Sequence, residues 1–253
     1  MLTDVPASLD DLGALNVFGL ASLLLVREQR LPVAPTRRLT TQLMRRLCDA
    51  GVIVTPWPEA QWMAEPRAET TPLERLHWRY VWQAYTLDEL LGPLVSHLAD
   101  LCSTAAGKEL CALIWSQLAA AEAESFFAGQ LRKHGFDDEW APDMEYAIRN
   151  APIALSIAQW RYCAWAAVRH GASLSQQRCG QLATDVLRDN IYRELLKRAS
   201  YAASPMSRGC SLPPFSPLPH SAAGQLFAQY MIRLGEAFWT KPPTVSTISK
   251  VGG

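Results

Sequence analysis

The segment Thr36–Val54 reads TRRLTTQLMRRLCDAGVIV. Wound at about 100° per residue, it divides into two faces. Leu39, Leu43, Met44, Leu47 and Ala50 share one half, and Arg37, Arg38, Thr41, Gln42, Arg45 and Arg46 share the other. That division predicts an amphipathic helix over Thr36–Ala50, ended by Gly51 as a left-handed cap. Val52-Ile53-Val54 then reads as a short strand, closed by Pro56 and Pro58. The apolar half needs a partner. The preceding run Leu9–Arg30, broken off by Leu31-Pro32-Val33-Ala34-Pro35, supplies one as a helix.

The polar half has its own chemistry. Arginine presents a planar fork of donors that clamps phosphates or reads guanine edges, and glutamine and threonine can assist. A helix with such a face, running through Leu47-Cys48-Asp49-Ala50-Gly51-Val52-Ile53 into a strand, resembles the recognition helix and wing strand of winged helix-turn-helix domains. The resemblance covers about residues 10–65. It implies that the helix lies in the major groove and that the wing touches the backbone. Those domains carry three helices before the wing, which this chain matches only if Leu9–Arg30 divides in two.

Outward from this module, the chain reads as helix after helix. Thr71-Pro72-Leu73-Glu74, Thr86-Leu87-Asp88-Glu89 and Ser173-Leu174-Ser175-Gln176 have the form of capping boxes. Pro142 and Pro152 suit first turns. Long helices are expected over Ala105–His134, Pro152–His170 and Leu174–Tyr201, the first two stopped by Gly135 and Gly171. Leu110, Ile114, Leu118 and Ala121, and Ile153, Ile157, Trp160, Ala164 and Val168, follow helical spacing and mark core faces. Six prolines and glycines punctuate residues 202–220, a loop expected to wrap on the helical body through Phe215 and Leu218. The fold class is therefore mainly α. A small N-terminal helix-turn-helix-like, winged module (1–66) precedes a multi-helix bundle (71–201). The proline-rich loop (202–220), a C-terminal helix on the bundle (221–240) and a mobile tail (241–253) follow.

Composition narrows the function. Hydrophobic residues make up 49% and charged residues 19% of the 253, which is enough apolar matter for a packed core. Lys and Arg number 24, as do Asp and Glu, so no global field draws in nucleic acid and any such contact must be local. Nine tryptophans and zero net charge suggest a homo-oligomer or a protein partner. No basic stretch precedes the apolar run Val17–Val26, and that run is too short to span a bilayer. The expectation is a cytoplasmic chain with no membrane partner. The six cysteines form no CxxC and read as free thiols.

Catalytic signatures are missing from the sequence. There is no phosphate-binding glycine loop and no Gly-x-Ser-x-Gly. None of the five histidines pairs with another at helical spacing, lies near a cysteine at metal-ligand spacing, or forms the Arg-x4–6-His pair of the helical ribonucleases. His134 and His170 suit helix C-termini. No catalytic residue, metal or cofactor is expected. If there is an enzymatic site, Glu122, Glu124, His134 and Asp137 would carry it. The leading expectation is a DNA-associated regulatory or accessory protein that binds duplex DNA through Arg37, Arg38, Thr41, Gln42, Arg45 and Arg46. The alternative is a non-enzymatic interaction or scaffold subunit whose arginine helix and Trp-rich bundle bind protein. A third reading leaves the arginines as a solvated face neutralised by Asp10, Asp11 and Glu28.

Overall fold

The computed structural model of the chain describes residues 6–29, 31–54, 78–178, 181–204, 207 and 209–251. These are mainly helical, with one two-stranded sheet. Helices α1 (Leu9–Leu12), α2 (Ala14–Gln29) and α3 (Arg37–Asp49) precede strands β1 (Ile53–Val54) and β2 (Arg79–Tyr80). Then come α4 (Leu91–Cys102), α5 (Ala105–Lys133), α6 (Asp143–Arg149), α7 (Ile157–Gln177), α8 (Thr184–Ala202), α9 (Ala222–Gln225), α10 (Ala237–Thr240) and α11 (Val245–Val251). They form two compact units, and the boundary falls within α5. The first unit is 1–118, 218–235 and 248–253; the second is 119–217 and 236–247.

In the first unit α2 is the core helix. Val17, Phe18, Leu20, Ala21, Leu23, Leu24 and Leu25 are buried, which closes nearly every side of it and leaves it flanked by α3, α4 and α9. Gly19 lets α3 approach, since a Cβ there would already touch Leu47 at 3.6 Å and Leu43 at 3.7 Å. The expected single helix over Leu9–Arg30 is two, because Gly13 adopts φ 78° and ends α1. Pro32 and Val33 carbonyls accept from the amides of Ala222 and Ala223, which ties the loop before α3 to the start of α9.

In the second unit α7 and α8 pack along their lengths over Trp160, Ala164, Val168, Ile191 and Leu195. Here the helix expectations need correction. α7 starts at Ile157 rather than Pro152, with a capping box between Ser156 and Gln159, and Ile153 is exposed. It also runs through Gly171, which does not stop it. A Cβ there would come within 2.5 Å of Ile191, so the glycine serves close packing against α8. The Ser173–Gln176 box lies inside α7, as does His170, and α8 begins at Thr184.

Three C-terminal expectations also change. The helix expected over Ser221–Trp239 breaks: α9 continues as a π-helical turn, Leu226–Met231, and Arg233 and Gly235 then take positive φ. The tail expected to be mobile contains α11, with Ile248 buried. Phe215 does not pack on the helical body but stands fully exposed. By contrast, α5 ends where Gly135 (φ 74°) was expected to stop it. The box at Thr86 holds a single 3-10 turn before α4 and makes no side-chain cap bond. The Thr71–Glu74 box lies outside the described residues.

Candidate nucleic-acid interface

The sequence of α3 sets its own boundaries. Thr36 is extended (φ −126°, ψ 151°) and its Oγ1 accepts from the Leu39 amide at 3.3 Å, satisfying one orphan donor of the first turn. At the other end Gly51 has φ 68°; its amide donates to Cys48 and the Val52 amide to Leu47. This double closure turns the chain into β1. β1 pairs antiparallel with β2, Ile53 opposite Tyr80 and Val54 opposite Arg79.

Leu39, Thr40, Leu43, Met44 and Leu47 are buried, while Arg38, Gln42, Arg45 and Arg46 are exposed. Arg37 and Thr41 are partly buried, and the Thr41 hydroxyl donates to the Arg37 carbonyl at 2.9 Å. From Arg38 to Arg46 the exposed side chains span about 12 Å of helix axis. Two of the three acidic residues suggested as neutralisers have other neighbours. Asp10 is 4.0 Å from His97, and Asp11 accepts from the Ser8 hydroxyl. The Glu28 side chain lies outside the described ones. Among the described residues, no carboxylate is within ion-pair distance of Arg45 or Arg46. Sequence reasoning missed Arg79, exposed on β2. Only the pairing of a distant strand with β1 places it beside this module.

The second unit tests the enzymatic candidates. Glu122 and Glu124 sit on α5, but His134 lies just past its C-terminus, about 18 Å along the axis from Glu122. Asp137 caps the turn beyond it, accepting from the Glu139 amide at 2.9 Å. The four residues are therefore not one site. Instead Glu122 shares its field with Arg161 of α7. Burial pushes the Glu122 carboxyl up to about 7, and the guanidinium partly offsets that rise. Arg161 is itself held: its Nε donates to the Leu212 carbonyl at 3.1 Å, and its guanidinium lies 4.3 Å from the Phe126 ring centre and 5.9 Å from that of Trp239. These contacts leave Arg161 as a structural clamp. No sequence motif marked it, because the ring partners come from two other elements.

A shallow cleft of about 270 Å³ is lined by Asp143, Tyr146, Arg188, Asp189 and Tyr192. Its one guanidinium is engaged by Asp143 at 2.6 and 2.8 Å. Among the described residues no group of three or more His, Cys, Asp or Glu could hold a metal ion, and no helix is long and apolar enough to cross a membrane. No family model matches the chain, and none of the curated proteins or solved structures compared with it matches either.

Proposed function

We propose that the chain is a DNA-associated regulatory or accessory protein that binds duplex DNA through α3. The observation that carries this reading is the exposed stripe Arg38, Gln42, Arg45 and Arg46 on a helix whose other face is buried. Its length of about 12 Å is comparable to the width of the major groove. Further support comes from the order of elements. Three helices lead into an antiparallel strand pair, and that pair carries Arg79. The neutral net charge fits a contact that is local.

The test is fluorescence anisotropy with duplex DNA across a salt series, comparing native protein with Arg45→Ala/Arg46→Ala. Each phosphate that is no longer neutralised lowers the slope of log K against log salt by about 0.9, so the double variant should lose about two in slope. Absence of native binding at low salt would end this reading. A second reading, a scaffold subunit that binds protein, is favoured by fully exposed Phe215. Of the chain's tryptophans, Trp82, Trp115, Trp140, Trp160 and Trp239 are buried, whereas Trp78 and Trp165 are partly exposed. The scaffold reading predicts that Phe215→Ser abolishes capture of a specific protein partner.

A further inference from the structure

Sequence spacing offers no reason to pair any two cysteines, yet the corner between α4 and α5 brings two together. Cys102 ends α4 and Cys111 lies in the second turn of α5, with their sulfurs 2.6 Å apart. The corner is tight at the backbone as well. The Leu101 carbonyl accepts from both the Thr104 amide (3.1 Å) and its hydroxyl (2.9 Å), and Thr104 Oγ1 accepts from the Gly107 amide (2.9 Å). A Cβ at Gly107 would lie 1.7 Å from the Leu101 carbonyl oxygen, so only glycine allows this approach. Cys111 is buried; Cys102 is partly exposed beside the exposed residues Ser103–Ala106.

We propose that Cys102 and Cys111 are an oxidisable dithiol, a modification site whose co-reactant is a low-molecular-weight disulfide of the glutathione type. Cys102 has the access to attack first. It gives its proton to solvent, and its sulfur displaces one half of the small disulfide, which leaves as a thiolate and takes up a proton. The other half stays on Cys102 as a mixed disulfide. Cys111 then loses its proton and attacks Cys102 Sγ, and the second half leaves as a thiol. Two protein thiols are oxidised and one small disulfide is reduced to two thiols. A disulfide requires about 2.05 Å between the sulfurs, so closure asks for a movement of about half an ångström.

The local chemistry favours that order. The contact between the two sulfurs holds the Cys102 thiol below its ordinary range, while the same contact and burial push Cys111 up. Cys163 provides the contrast: it is fully buried and its thiol is pushed up to about 12.

Lys108 lies between the two cysteines, so trypsin separates them into peptides 80–108 and 109–132. Native folded protein is incubated with oxidised glutathione, its remaining thiols are alkylated, and the digest is read by mass spectrometry without reductant. The expected result is those two peptides joined, and separated after reduction. Cys102→Ser should lose the linkage completely and leave Cys111 without glutathione. Cys111→Ser should retain one glutathione on Cys102. The proposal is overturned if native protein yields both cysteines alkylated, or if it accumulates glutathione on Cys102 while Cys111 stays alkylatable. Should the buried Cys111→Ser variant fail to fold, the native protein and the Cys102→Ser variant decide the matter alone.

Discussion

Glu122→Gln removes a titrating group while keeping its shape. In the folded chain that carboxyl is pushed up to about 7 from an ordinary value of 4.5. The folded state therefore binds the proton more tightly than the unfolded chain. The stability this contributes is full below about pH 4.5 and is lost as pH rises through about 7. Taken whole, the shift is worth about 2.5 kcal/mol between about pH 5 and pH 8. The side chain is partly reached by solvent, and halving for that leaves about 1 kcal/mol. The assay is urea denaturation at a series of pH values, for native and Glu122→Gln protein. The native midpoint should fall from pH 5 to pH 8 relative to that of the variant, and the gap should follow a single titration near neutrality. Parallel profiles would refute the reasoning, since they would mean that this carboxyl has the same pKa folded and unfolded.

Gly171→Ala should destabilise the second unit by about 1–3 kcal/mol, because its methyl group would meet Ile191 at 2.5 Å; chemical denaturation reads this directly. Thr36→Ala removes the cap of α3 and should cost about 1 kcal/mol, with a matching rise in amide exchange in its first turn. Thr36→Asp should restore the protection, since aspartate caps as well as threonine. Leu47→Ala, at a fully buried position on the inner face of α3, should cost about 2–5 kcal/mol, whereas Arg45→Ala should leave the melting temperature nearly unchanged.

How much was legible depended on whether the signal was local. α3 was readable end to end, because the Thr36 cap, the two faces and Gly51 are all encoded within its own length. The stop of α5 at Gly135 was readable for the same reason. Gly171 was not. A glycine that ends a helix and one that admits a neighbouring helix look identical until Ile191 is placed against it. Ser173–Gln176 has the letters of a capping box, but α7 carries its register past them. The 202–220 loop was expected to wrap on the helical body through Phe215 and Leu218, yet the segment holding Phe215 is anchored on either side instead. The Leu212 amide donates to the Ala158 carbonyl, and Trp239 Nε1 donates to the Pro217 carbonyl at 2.8 Å. At the candidate interface the arginines were legible from periodicity. Arg79, Arg161 and the Cys102–Cys111 contact were not, since each depends on an element brought in from elsewhere in the chain.

The exposed ring at Phe215 has an energetic consequence. Transferring a phenylalanine side chain out of water is worth about 1.5–3 kcal/mol, and folding of this chain leaves that transfer undone. The two anchoring bonds at Leu212 and Pro217 hold its short segment in place, so a protein that covers the ring gains the transfer without having to order a long free loop. Converted to affinity, about 2 kcal/mol is roughly a thirtyfold tightening of association from one side chain.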